Sequence, residues 1–113
     1  MKEKRFSQLS KQGQGLIRLC QYVNFGSILN VKVAEGEVIF EPPPEIIVDV
    51  RLDGDVPQRS ELAMPDFVLA SEACRLLAHI DSLKTGLIEK ITVHAGIPRR
   101  MFVRRVPTPE VIL

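Results

Sequence analysis

Residues 99–105, Arg99-Arg100-Met101-Phe102-Val103-Arg104-Arg105, hold the side chains best suited to chemistry in this chain. Four guanidiniums in so short a span can neutralise phosphates on a nucleic acid, and Phe102 can stack a base. Strand geometry divides them. In a regular strand Arg99 and Arg105 face one way with Met101 and Val103, while Arg100 and Arg104 face the other with Phe102. No more than two arginines then share a face, although a rim or a bulge can gather them. Arginine also protects sheet edges and pairs with carboxylates such as Glu41, Asp49 or Glu89. Edge protection is therefore the first expectation, and nucleic-acid contact through Arg99, Arg100, Arg104 and Arg105 the second.

The other reactive residues are sparse. His79 follows Cys74 by five positions, which turns it well round a helix from the thiol, so the two make a poor metal pair. His94 stands beside a turn and is expected to be wet. Cys20 and Cys74 lie among apolar neighbours without metal-ligand spacing and read as reduced core thiols. No Ser-His-Asp set, Gly-rich phosphate loop or HExxH is present. The carboxylates between Glu35 and Glu72 are scattered over turns, loops and outward strand positions, which suits a solvated face. The chain thus predicts no catalytic residue, no metal site, no cofactor and no enzyme. A small-molecule pocket between helices and sheet ranks third among the readings, because the sequence shows no polar groups converging on one.

The frame for these residues is small. A chain of 113 residues with 45% apolar side chains has room for one domain, spanning 1–113. With no Trp and one Tyr, its core must be aliphatic. Residues 1–34 carry a net charge of +5, residues 35–72 carry −8 and residues 73–113 carry +4. That division can steer a partner, or it can neutralise itself on folding. The basic opening MKEKRFSQLSKQGQG lacks the apolar stretch of a signal peptide, and no apolar run reaches membrane-spanning length. A cytoplasmic protein without membrane contact is expected.

The elements that must position the arginines are written twice. Residues 16–36, LIRLCQYVNFGSILNVKVAEG, lie over residues 76–96, LLAHIDSLKTGLIEKITVHAG, without a gap. Leu16, Gly26, Ile28, Val33 and Gly36 recur as identical residues. Each copy predicts a helix, ended by Gly26 or Gly86, and then a hairpin turned at Glu35-Gly36 or Ala95-Gly96. The first helix begins near Gly13 or Gly15 and runs to Val23. In the first hairpin Leu29, Val31 and Val33 share a face, with Val33 opposite Val38, Val31 opposite Phe40 and Lys32 opposite Ile39. Glu45 to Leu52 alternates most clearly of all, predicting a strand whose Ile46, Val48, Val50 and Leu52 are buried. Residues 62–70 fit either a short strand or an early helix start. Ser71 caps a second helix through Leu83, with Cys74, Leu77 and Ile80 inward. Pro98 stands where Val38 stood, so a longer loop or bulge is expected before the last strand, 99–106.

The predicted fold is α+β, one mostly antiparallel sheet with two helices on one face, in the order α-β-β-β-α-β-β. Repeat one covers about 13–42, an inserted strand and loop 45–65, and repeat two about 71–106, with flexible ends at 1–12 and 107–113. The run FGSILNVKVAEGEVIFEP resembles the short bacterial YezD-like family of uncharacterised proteins. Phe25, Gly26 and Ser27 fit that family's Phe/Tyr-Gly-Ser step, Val31 and Val33 its strand, and Glu35-Gly36 its turn. The likeness spans about residues 12–42 and fades in the second copy at Thr85, Leu87 and Pro98. It implies the helix-plus-hairpin fold and no activity.

Ile39 and Ile47 are apolar residues on the predicted polar face of the sheet, and Val111, Ile112 and Leu113 form an apolar run that can add to a sheet edge of a second copy. The sequence therefore points to a non-catalytic interaction module, as a homodimer or with another protein. A nucleic-acid-binding regulator is the alternative.

Overall fold

A computed structural model describes residues 4–105, 107 and 109–112. The main elements are α1 (Lys11–Val23), β1 (Gly26–Ala34), β2 (Glu37–Ile39), β3 (Glu45–Val48), α2 (Ser71–Leu83), β4 (Gly86–His94) and β5 (Ile97–Val103). A helical turn α3 (Pro109–Ile112) follows, and 3-10 turns occupy Phe6–Gln8 and Ser60–Ala63. All strand pairs are antiparallel in one sheet. β1 and β4 form its centre, β5 flanks β4, and β2 and β3 pair with opposite ends of the outer side of β1. Leu16, Cys20 and Val23 of α1, with Leu76 and Ile80 of α2, pack on a single aliphatic surface built from β1 and β4. Both helices thus cover one face, and the α+β reading holds.

The buried positions of the central strands depart from strict alternation. Ile28, rather than Leu29, joins Val31 and Val33 in the core. Asn30 takes φ 57°, and neither it nor Glu89 across from it is paired in the β1–β4 ladder, so the register is kept while the buried side switches between Ile28 and Val31. β4 shows the same spacing in Ile88, Ile91 and Val93. In the first hairpin Val33 faces Val38 and Lys32 faces Ile39 as expected, but β2 stops at Ile39 and Phe40 lies outside the ladder.

The two halves meet about a pseudo-twofold. Gly26 pairs with Val93, and Val33 pairs with Gly86. Val93 and Gly86 are the counterparts, sixty positions on, of Val33 and Gly26. The same exchange ties turns to helix ends: the Gly36 N–H donates to the Lys84 carbonyl at 2.8 Å, and the Gly96 N–H donates to the Asn24 carbonyl at 2.9 Å. Each hairpin therefore satisfies the end of the other half's helix. Both turns have positive φ at their two central residues, 53° and 74° at Glu35-Gly36 and 54° and 75° at Ala95-Gly96, the conformation that matches the twist of the flanking strands.

Gly26 and Gly86 do not close the helices. Asn24 and Lys84 do, with φ of 63° and 62°, and the glycines begin the following strands. Gly26 answers to a different demand. A Cβ there would lie 1.9 Å from the Ile47 carbonyl oxygen, so its bare backbone is what lets β3 dock on β1.

Residues 4–10 are ordered into the fold rather than frayed. Phe6 is buried and stacks on Phe67 with ring centroids 4.9 Å apart. The Phe6 N–H donates to the Phe67 carbonyl and the Leu69 N–H to the Lys4 carbonyl, each at 2.9 Å, around an Arg5–Val68 bridge. The ambiguous stretch before α2 thus contributes this bridge, after a 3-10 turn at Ser60–Ala63. Ser10 caps α1, its hydroxyl accepting from the Gly13 N–H at 3.1 Å, which starts the helix earlier than the apolar pattern indicated. In α2, Ala70 holds the cap position and Ser71 is the first helical residue. Ala73, Leu76 and Ile80 are the buried residues of α2, a face turned slightly from the expected Cys74, Leu77 and Ile80.

Candidate functional site: the outer side of the last strand

Pro98 does not lengthen the second hairpin. The two-residue turn is kept, Pro98 is buried opposite Val93, and the irregularity falls one step later. Thr92 then pairs with Arg100 instead of Arg99, leaving Arg99 as the extra residue of a bulge. From there Met101 faces Ile91 on the helix side, and Phe102 faces Lys90 on the uncovered side. A buried proline that cannot donate to the ladder, followed by a bulge, is how an edge strand changes register without losing its core residues.

The bulge sorts the four arginines. Arg99 lies toward α2 and donates to the Glu72 carboxylate at 2.9 Å. Arg100 stands on the uncovered sheet face, its guanidinium carbon 5.3 Å from the centre of the Phe102 ring. Arg104 donates two hydrogen bonds to Glu89, at 3.1 and 2.9 Å. Arg105 lines the space between α2 and β5. The structure therefore does not gather all four into one patch. It engages Arg99 and Arg104 with carboxylates, the edge role that came first from the sequence.

The space between α2 and β5 is a cleft of about 430 Å³. Arg75 and His79 line it from α2, and Arg99, Arg100 and Arg105 from the strand side, over Met101 and Val103. Glu72 is its carboxylate. The Glu72 carboxyl is held below the usual carboxylate range by its own backbone N–H and by the Ser71 hydroxyl, with the charges of Arg99 and Arg75 adding to both. Among the described residues, neither Arg75 nor Arg105 has a carboxylate within ion-pair distance.

The first half has a matching recess of about 420 Å³ between α1 and the chain after β2. Leu19, Tyr22, Phe40, Pro43 and Pro44 line it with Gly15 and Arg18, so its wall is mainly apolar. Phe40 rests on Gly15, where a Cβ would come within 3.1 Å of its ring. Arg75 and His79 replace Gly15 and Leu19 in the second half, and among the described residues no Phe or Tyr lines the cleft beside that helix.

The predicted interface residues divide in two. Ile39 is 37% exposed and Ile47 is 56% exposed, both on the uncovered sheet face, where Ile47 stands opposite Ser27 and Ile39 opposite Lys32. The buried face expected for Glu45 to Leu52 is not formed. Pairing with β1 reaches only to the Asp49 N–H, which donates to the Phe25 carbonyl, and Ile46, Val48, Val50 and Leu52 are all exposed, Leu52 at 95%. Among the described residues no layer crosses the sheet's outer edge there to bury them. Val111 and Ile112 are exposed in α3, a helical turn and not an added strand, and Leu113 lies outside the described residues.

One residue that organises this side escaped the sequence reading. Arg18 stacks over Phe6 at 4.3 Å and donates to the carbonyls of Glu61 (2.7 Å), Leu62 (3.2 Å) and Met64 and to the Gln21 amide oxygen (3.0 Å). It holds the loop after β3 against α1. Its only signal was a lone charge on an apolar helix face. Cys20 and Cys74 are free thiols, and burial pushes Cys20 up to about 12. His94 packs edge-on against Phe25 at 4.7 Å. No group of three His, Cys, Asp or Glu side chains among the described residues is placed to hold a metal, and no helix among them is long and apolar enough to cross a membrane. The chain matches no protein-family model, and no curated protein or solved structure is significantly similar to it.

Proposed function

We propose that this protein is a non-catalytic interaction module that joins a second copy of itself along the outer edge of β3. The observation that supports this is the exposed row Ile46, Val48, Val50 and Leu52. A period-two apolar row is the pattern of a strand with one buried face, and one chain alone leaves it in water. Among the described residues β3 pairs on one side only, with β1, so its outer N–H and C=O groups form a template for another strand. Symmetry narrows the register. A twofold perpendicular to the sheet keeps each residue on its own face, so the axis must pass through a residue. Centred on Ile47 it sets Glu45 against Asp49 of the second copy. Centred on Val48 it sets Ile46 against Val50 and Glu45 against Arg51, which is the better match. The free thiols fit a reducing, cytoplasmic setting.

Light scattering behind a sizing column tests this. The expected mass is twice the 12.7 kDa of one chain, returning to 12.7 kDa in Val48→Glu. A native mass fixed at 12.7 kDa up to millimolar protein would end the reading. A second reading, nucleic-acid contact, draws on Arg100 and Lys90, which flank Phe102 at 5.3 and 5.9 Å on the uncovered face. It predicts retention on single-stranded DNA that weakens steeply with salt and drops in Arg100→Ala.

A further inference from the structure

The cleft between α2 and β5 joins three features. It is concave and, at about 430 Å³, falls in the size range of small-molecule sites. Its floor is apolar, from Pro98, Met101 and Val103. Its walls carry Arg75, Arg99, Arg100 and Arg105 against one carboxylate, Glu72, which Arg99 already engages. Like charges held around one cleft repel, and Arg75 and Arg105 lack an ion-pair partner among the described residues to offset that. The matching recess in the first half has only Arg18 among its lining cations, and that guanidinium is spent on loop carbonyls.

We propose that this cleft binds a phosphate-bearing small molecule, with Arg75 and Arg105 on the phosphate oxygens and the apolar remainder of the ligand on Met101 and Val103. A guanidinium presents paired donors that match phosphate oxygens, and two of them favour a polyanion over a single carboxylate. Glu72 has a positioning part. Its hold on Arg99 keeps that side chain at the cleft wall and tempers the positive charge without reaching the other two. His79 lines the same wall and adds a ring N–H donor. The bulge shapes the site, because it sends Arg99 toward α2 and sets Met101 opposite Ile91 on the cleft floor.

Calorimetric titration of the full chain with inorganic pyrophosphate at low salt is the direct test. Saturable one-site binding is expected, weakened about tenfold, the equivalent of one lost charge-assisted contact, by Arg75→Gln or Arg105→Gln. Both side chains are exposed, so unchanged melting curves without ligand will confirm that the variants fold. Arg51→Gln, far along the chain in an exposed loop, should bind as the native protein does. Absence of saturation by 10 mM pyrophosphate, or equal weakening in Arg51→Gln, would overturn the proposal. So would tighter binding of a single-stranded oligonucleotide that Phe102→Ala abolishes and Arg75→Gln leaves intact, since the phosphates would then belong to a polymer on the sheet's uncovered face.

Discussion

Phe40 and Arg100 occupy equivalent places in the two halves, and the backbone around them repeats closely until one step before. In the first half the ladder ends at Ile39, and Phe40 folds over Gly15 to close the space beside α1 with an aromatic ring. In the second half the ladder continues through Arg99 by a bulge, and Arg100 is carried to the opposite face beside Phe102. One edge is therefore apolar and tightly seated, and the other is open and cationic. Paired glycines, turns and helix ends set the common frame, while the side chains just past the turn set what each edge can meet. A pseudo-twofold that is strict at its centre and broken at its margins lets one small chain present two different surfaces.

The sharpest way to break this comparison is at the start of the central strands. Gly26→Ala should cost on the order of 3 kcal/mol or more, because its Cβ would enter the Ile47 carbonyl at a φ of 152°. Gly86→Ala, whose Cβ would meet only the Leu83 side chain at 3.4 Å, should stay within about 0.5 kcal/mol. Urea unfolding of both variants decides it, and equal costs would mean that β3 docks elsewhere. A smaller difference is expected at the edges themselves. Phe40→Ala should cost about 1–2 kcal/mol as a half-buried ring is lost, against less than about 0.5 kcal/mol for Arg100→Ala. Similar shifts of the urea midpoint in the two variants would erase the distinction between a filled and an open cleft.

The smallest expected effect concerns the segment before α1. The Arg5 guanidinium, which hydrogen-bonds Asp66 at 2.8 Å, together with the Ser7 N–H, lowers the Asp66 carboxyl to about 2. A carboxyl depressed in the folded state contributes stability that is complete above its ordinary range near 4 and is lost as pH falls through about 2. Acid titration followed by the aromatic resonances of Phe6 and Phe67 should show the arm loosening in that window. In Asp66→Asn the resonances should instead be insensitive to pH there.

Much of the centre was legible in the residues. Glu35-Gly36 with alternating apolar neighbours is a hairpin on local grounds alone, and the sixty-residue recurrence extended it to Ala95-Gly96. The strand at Glu45 was legible as well, but its burial was not, because period-two alternation states that a face prefers cover without saying what supplies it. The four arginines read as two per face. A bulge at Arg99 and the Glu72 and Glu89 carboxylates, distant in sequence, divided them differently: Arg99 and Arg105 line the cleft beside α2, Arg100 stands beside Phe102, and Arg104 pairs with Glu89. Arg18 was overlooked because its partners are backbone carbonyls more than forty positions away, which carry no sequence signal.

By itself the sequence determined the two helices, the hairpin turns, the aliphatic core and the doubling of the unit, since each rests on spacing and on the backbone preferences of a few residues. Only the tertiary structure decided the crossed caps between halves, the docking of β3 over Gly26, and the sorting of the arginines. Those depend on which backbone atoms approach across the pseudo-twofold and on one register shift in an edge strand. A single extra residue there moves a charge from one face of the sheet to the other without changing the apolar pattern that surrounds it.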